Sequence, residues 1–259
     1  MKKTFVLIGL TIGLLISCSS EKMKKSDGIS VPLGTNISDS VEDSDENFTD
    51  LNTRPNTVLL TGLDSHRLVT IYREKYDKDN KRKYIAGNYY HTNNYNDYRD
   101  DSNEWNNHFM PGFEAVYGYN MLNVAHYDFS SKSKNLFFKS PVLVNTLYYP
   151  AVEQDTLNNV PVNRDYYMVS VYNEDTNNDS IINYSDLRRL YFFDKFGRNQ
   201  THLIPLDYSV MSSEYDRIND FMFVFAKQDK NANGMREPDE PVHIFWFDLK
   251  APKLAERVY

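Results

Sequence analysis

A single cysteine, Cys18, is all the thiol chemistry in this chain of 259 residues. An intramolecular disulfide and a cysteine-based metal cluster are both excluded. Basic charge is also short. The 29 Lys and Arg stand against 36 Asp and Glu, a net charge of −7, and without Lys2 and Lys3 the balance is 27 against 36, or −9. Nucleic-acid binding depends on clustered Lys and Arg that neutralise phosphates, so no nucleic-acid partner is expected. There are only ten glycines, none in a phosphate-cradling loop, and no serine sits in a G-x-S-x-G elbow. Long apolar runs are missing outside residues 5–16. What is present is 41% apolar residues, enough for a buried core, with 20 Tyr and 15 Phe.

The one apolar run follows Lys2 and Lys3 and has the length of a signal-peptide core, too short to span a bilayer as a mature helix. It ends in Leu15-Ile16-Ser17-Cys18, which resembles a bacterial lipobox. The resemblance implies a signal peptide over 1–17 and a diacylglyceryl-modified Cys18 as first residue of the mature protein. It also implies a bacterial cell-envelope address outside the cytoplasm, at the outer membrane or cell surface. Two or three acyl chains anchor stably, since each buried CH₂ contributes about 0.8 kcal/mol. Residues 18–54 are rich in Ser, Asp, Glu, Lys and Asn, with an acidic cluster from Asp39 to Glu46. Such a stretch buries too little apolar surface to offset its ordering entropy, so it reads as a disordered linker to a folded domain over 55–259.

Beyond Pro55 the apolar pattern has period two and is rich in Tyr, Phe and Val, as in Tyr166-Tyr-Met-Val-Ser-Val-Tyr172. Shifting the chain by 54 residues lays Tyr167-Met168-Val169 on Phe221-Met222-Phe223, Asp175 on Asp229, and Leu190-Tyr-Phe-Phe-Asp194 on Ile244-Phe-Trp-Phe-Asp248. A fainter copy holds Val124-Ala-His-Tyr-Asp128 followed by Leu136-Phe-Phe138. A shared shift over so many positions marks a repeat. Each unit reads as strand, loop, strand ending in aromatic-Asp, turn, short strand. The class expected is all-β, built of repeated antiparallel meanders.

That unit resembles a blade of a TolB-like or WD40-like β-propeller, over residues 57–259. The region holds three or four such units, few for a propeller. An incomplete propeller, a β-sandwich of stacked meanders and an edge-sharing dimer all fit. Residues 88–119 read as a long insertion in the first unit, with Tyr89, Tyr90, Tyr95, Tyr98, Trp105 and Phe109 among Asn and Asp. Those rings either form a platform for a glycan or peptide or cover an open end of the β-structure.

Two loops carry the chemistry. Asp175, Asn177, Asp179, the carbonyl of Ile181, Asn183 and Asp186 stand at positions 1, 3, 5, 7, 9 and 12 of one twelve-residue stretch. Asp229, Asn231, Asn233, the carbonyl of Met235, Glu237 and Glu240 do so in the next. These are the oxygen-ligand positions of an EF-hand loop, where alternate side chains of a tightly wound segment converge on a hard cation that takes six to eight oxygens. Asp rather than Glu at position 12 of loop one is similar to the calcium loops of dockerin modules. Loop one has Ser180 at position 6, where the backbone wants glycine. Loop two has Gly234 there but places Arg236 at position 8, where loop one has Ile182. With strands on both sides, the expected role is a structural Ca²⁺ that orders the domain rather than a sensor. Metal-free Asn/Asp turns are the plainer alternative.

The remaining constellations are weaker. His66, His91, His108, His126, His202 and His243 are scattered without metalloprotease spacing. Asp128, Asp194 and Asp248 each follow an aromatic residue at a strand end, where capping of a turn is expected rather than catalysis. A carboxylate pair brought together by folding would make the chain a hydrolase, but no motif points to one. No enzymatic activity is expected. The sequence reads as a lipid-anchored binding or assembly protein with the membrane, and an envelope protein or glycan, as partners.

Overall fold

In a strand, successive side chains point to opposite faces, so the alternating pattern of Tyr166–Tyr172 can serve two cores at once. The computed structural model describes residues 28–30, 52–77, 79–85, 89–92 and 110–259. Its strands are β1 (Ile29–Ser30), β2 (Thr53–Leu60), β3 (His66–Asp77), β4 (Arg82–Ile85), β5 (Tyr89–Thr92), β6 (Phe113–Asp128), β7 (Ser133–Leu136), β8 (Leu143–Pro150) and β9 (Asp155–Leu157). They continue as β10 (Val160–Val162), β11 (Tyr166–Tyr172), β12 (Ile181–Ile182), β13 (Arg189–Asp194), β14 (Thr201–His202), β15 (Tyr208–Asp216), β16 (Phe221–Gln228), β17 (Val242–Asp248) and β18 (Glu256–Arg257). The described residues contain no helix, and every strand pairing is antiparallel. The all-β class of repeated meanders expected from the period-two pattern holds.

A ten-stranded sheet, in the order β14-β13-β11-β8-β6-β3-β2, folds over on itself at β6, and with the four-stranded sheet it makes three layers around two cores. The first comprises β2, β3, β7 and the C-terminal half of β6. The second comprises β8, β11, β13, β14 and the N-terminal half of β6, and the third is the separate sheet β15-β16-β17-β18. β6 belongs to two layers because it bends. Its pairing slips between Tyr117 and Met121, and Asn120 there takes a left-handed backbone, φ 65°. Odd residues of β11 (Tyr167, Val169, Val171) join Leu68, Tyr72 and Val124 in the core between layers one and two. Even residues (Tyr166, Met168) join Met222, Val224 and Phe245 in the core between layers two and three. The second layer is therefore buried on both sides, in a sandwich-like packing repeated twice.

The 54-residue repeat is visible in the layers, with one correction. Tyr167 pairs with Phe193 in the second layer, and Met222 pairs with Phe247 in the third. The second strands are thus related by 54 residues and the first strands by 55, because the third layer has one residue fewer between its first strand and the following loop. The fainter third copy is also real: β6 ends in Tyr127-Asp128 and turns into β7, as β13 turns into β14 and β17 into β18. All three terminal aspartates cap their turns as expected, accepting from the backbone N–H two residues on at 2.9, 3.0 and 2.8 Å. The hydroxyls of Ser130 and Ser131 hold Asp128 well below the usual carboxylate range.

Two expectations from composition need amending. The long insertion over 88–119 is strand at both ends: Tyr89–Thr92 pairs with residues 115–118 of β6, which starts at Phe113. Its Asn/Asp content hid the period-two pattern of Phe113-Glu-Ala-Val-Tyr117. Tyr95, Tyr98, Trp105 and Phe109 lie outside the described residues. Within the stretch read as linker, Ile29–Ser30 pairs with Ile182 and Ile181, and Ile29 is buried among Leu122, Leu143, Tyr172 and Ile182. One apolar residue in a polar stretch was enough to dock it. Among the described residues, no helix is long and apolar enough to cross a membrane.

Layers two and three are fastened at both ends of β11. At its start, buried Arg164 meets buried Asp220 through two contacts, of 2.7 and 3.0 Å, and also donates to the carbonyl of Leu249. At its end the chain enters the first of the two oxygen-rich loops.

Candidate metal-binding loops

Loop one (175–186) leaves β11 and returns to β13; loop two (229–240) leaves β16 and returns to β17. In loop one, Asp175 accepts from the N–H groups of Asp179 and Ser180 (3.1 and 2.8 Å), Asn177 from that of Asp179 (3.0 Å), and Asp179 from that of Ile181 (2.9 Å). Asp186 closes the loop by accepting from the N–H groups of Thr176 (2.8 Å), Asn177 (3.3 Å) and Asn183 (2.7 Å).

Loop two repeats this, except that its position-3 N–H does not donate to the closing carboxylate. Asp229 accepts from the N–H groups of Asn233 and Gly234 (3.1 and 2.9 Å), Asn231 from that of Asn233 (3.0 Å), and Asn233 from that of Met235 (2.9 Å). Glu240 closes it by accepting from Lys230 (3.2 Å) and Glu237 (2.9 Å). In both loops positions 4 and 6 are left-handed: Asn178 and Ser180 at φ 57° and 67°, Ala232 and Gly234 at 56° and 72°. Ser180 thus adopts the conformation expected of a glycine, which costs a non-glycine residue roughly 1–2 kcal/mol.

These side chains bind the backbone with one part of each oxygen's acceptor capacity, and a carboxylate has about four such sites. The donor set fits a hard cation: carboxylates, amide oxygens and a position-7 carbonyl, with no sulfur or imidazole. At position 9 the loops differ. Asn183 turns its amide oxygen to the N–H of Ser185 (2.7 Å) and its nitrogen to the carbonyl of Ile181 (3.2 Å). Glu237 accepts from the Asn231 side chain (2.7 Å). Among the described residues, no three His, Cys, Asp or Glu side chains converge as a metal group. The carboxylates of each loop accept from backbone N–H donors. Asp186 is almost fully buried, and that burial pushes its carboxyl up to about 6 against the pull of its three amide donors.

The two loops touch, which the spacing of ligands did not reveal. The hydroxyl of Thr176 in loop one lies 2.6 Å from the carbonyl oxygen of Gly234 in loop two and 3.2 Å from Asp186. It also accepts from the N–H of Leu187 (2.9 Å). A methyl group on Gly234 would sit 1.8 Å from the Thr176 carbonyl oxygen. Gly234 is therefore required twice, by its φ and by its neighbour. Loop one is the more enclosed: Ile182 is buried and strand-paired, whereas Arg236 at the same position in loop two is exposed.

The other candidates are placed as follows. His66 and His126 are buried with ring centroids 5.0 Å apart, and desolvation lowers the His126 pKa. His243 accepts from or donates to the Tyr208 hydroxyl (2.8 Å) beside a cleft of about 670 Å³. That cleft is lined by Pro241, Val242, His243, Arg257, Val258 and Tyr259, with no Asp or Glu side chain. Cys18 and His108 lie outside the described residues. No family model matches the chain, and no curated protein matches it.

Proposed function

We propose that this chain is a lipid-anchored, extracytoplasmic binding or assembly protein whose layered β-domain is ordered by Ca²⁺ at two loops. The observation that carries the metal reading is the shared network of N–H donors around positions 1, 3, 5 and 12, reproduced in two loops of different sequence. Turn-forming Asn and Asp make local contacts readily, but they have no reason to repeat a twelve-residue network closed by a position-12 carboxylate. Asp175, Asn177, Asp179, the Ile181 carbonyl, Asn183 through water and Asp186 would hold one ion. Asp229, Asn231, Asn233, the Met235 carbonyl, Glu237 and Glu240 would hold the other. The ion's chemistry here is charge neutralisation, which lets carboxylates approach one another and fixes each loop between its strands. Extracytoplasmic sites of this type work with dissociation constants of about 10⁻⁴–10⁻³ M.

The anchor rests on the sequence alone, on Lys2, Lys3, the apolar run and Leu15-Ile16-Ser17-Cys18. Replacing Cys18→Ser should abolish incorporation of a labelled fatty acid into the protein. For the metal, the chain from Ser19 is melted in chelator and in millimolar calcium, beside Asp175→Ala and Asp229→Ala. Binding to the folded state alone adds about 1.4 kcal/mol at tenfold excess over the dissociation constant. A calcium-dependent rise in Tm that each variant reduces supports the reading; an unchanged Tm in the unsubstituted chain refutes it.

A further inference from the structure

The stack of layers ends in two unlike faces. In the second layer, Tyr166, Met168, Leu190 and Phe192 are covered by the third layer. The equivalent positions of the third layer are Phe221, Phe223, Phe225, Ile244 and Trp246, because its strands pair Phe223 with Trp246 and Phe225 with Ile244 on one face. None of these five belongs to a buried core cluster; all are half-buried. Phe221 and Trp246 lie against each other with ring centroids 4.5 Å apart. A sheet face with this many aromatic rings is far more apolar than a solvated face requires. Its rim is acidic. Glu214 pairs with Phe223, Asp216 and Asp248 with Phe221, and Glu256 with Trp246. Lys227, at the loop end of the same face, is turned onto the carbonyls of Glu237 and Pro238.

At the other end, the first layer turns outward the face by which the second and third layers each rest on the layer before. It carries Val58, Leu60, Val69, Ile71 and Tyr127, with Val58 60% and Leu60 57% exposed. Among its described strand positions the one acidic residue is Asp77, at the far end of β3 and held by the Asn80 side chain, while Arg67 and Lys134 flank Tyr127. One end is thus aromatic with an acidic rim, and the other is aliphatic with basic residues.

We propose that the aromatic face of the third layer docks on the aliphatic face of the first layer of a second copy, continuing between chains the packing that repeats within the chain. Charge complementarity favours this pairing over aromatic face against aromatic face, which would bring two acidic rims together. A head-to-tail contact of this kind closes into a ring where the rotation per layer permits and otherwise grows into an open array.

The test uses the chain from Ser19 to Tyr259, which keeps every described residue and carries no acyl chain to drive micelle formation. Its mass is followed by analytical ultracentrifugation from micromolar to sub-millimolar concentration, beside Trp246→Glu and Leu60→Glu. The expected result is association in the unsubstituted chain and at least tenfold weaker association in each variant. An equimolar mixture of the two variants should regain one pair, joined through the one intact face that each contributes. Circular dichroism checks folding, and if Trp246→Glu fails to fold, Glu214→Lys at the exposed rim takes its place and should weaken association as well. A monomer at every concentration overturns the proposal. So does association that survives Leu60→Glu and is lost in Trp246→Glu, since that marks like face on like face.

Discussion

Loop one and loop two share only the Asp at position 1 and the Asn at position 3, yet the side chains at positions 1, 3 and 5 make the same hydrogen bonds in both, with left-handed residues at the same two positions. What the network needs is an oxygen at positions 1, 3, 5 and 12 and a backbone free to turn at 4 and 6. Everything else in the two sequences records the neighbourhood. Ile182 in loop one meets Ile29 and the small apolar cluster around Leu122, so it is aliphatic. Its counterpart Arg236 meets solvent. Gly234 lies against the Thr176 carbonyl and has no room for a side chain, while Ser180 at the same position carries one. A loop's hydrogen-bond network and a loop's surroundings are thus written at different positions of the same twelve residues.

The closing carboxylates should separate the loops most strongly. Asp186→Ala strands three N–H groups beside a nearly inaccessible site, whereas Glu240→Ala strands two in a more open loop. With about 1–3 kcal/mol for each buried donor left unsatisfied, and partial relief by water, the expected losses are about 4 kcal/mol for Asp186→Ala and about 2 for Glu240→Ala. Urea midpoints in chelator measure both. Equal losses would mean that enclosure does not distinguish the loops.

Position 6 comes next. Gly234→Ala must carry a methyl into the Thr176 carbonyl at a φ of 72°, and strain plus overpacking come to about 3 kcal/mol. Ser180→Ala keeps an already strained backbone and loses no hydrogen bond given by its hydroxyl, so its cost should stay within about 0.5 kcal/mol. Thermal melts of the two variants compare them directly. A mild Gly234→Ala would show that the loops can part without consequence for the fold.

The docked N-terminal segment offers a third contrast, because it touches loop one alone. Ile29→Ala removes a buried side chain from the cluster with Ile182 and should cost about 2 kcal/mol. Hydrogen exchange locates the effect: the amide of Ile182, opposite Ile29, should exchange faster, while that of Met235 in loop two, held by Asn233, keeps its rate. Faster exchange in both loops would show that the Thr176–Gly234 contact transmits the disturbance.

Most of this was legible where chemistry is tied to sequence spacing. The all-β class followed from period two, the three turn-capping aspartates from their place after an aromatic residue, and the loop positions from alternate oxygens. What spacing cannot carry was missed. The contact of Thr176 with Gly234 joins residues 58 apart, and only the stacking of two layers brings them together. Spacing accounts for the left-handed backbone of Gly234 but not for the Thr176 carbonyl that lies against it. Ile29 was lost in a polar average. The one-residue offset between the first strands of the repeat was invisible because aromatic and aliphatic residues alternate so freely there that either register gives a plausible match.

The smallest predicted effect concerns the strain that each loop accepts at a different place. Loop one puts Asn178 at position 4 and Ser180 at position 6; loop two puts Ala232 at 4 and Gly234 at 6. Asn tolerates the left-handed region because its side chain is short and polar, and Gly has no Cβ to clash, so each loop holds one residue poorly suited to its φ. Those residues are Ser180 and Ala232. Replacing either by Gly relieves about 1–2 kcal/mol of backbone strain and gives back about 0.5–1 kcal/mol through the freer unfolded chain, a net gain of about 0.5–1 kcal/mol. The two sites share no bonded partner, so Ser180→Gly and Ala232→Gly should add within about 0.5 kcal/mol. Denaturant midpoints of the single and double variants measure this. If only Ala232→Gly stabilises, Ser180 keeps its place through its hydroxyl, and the two loops differ at position 6 in chemistry as well as in space.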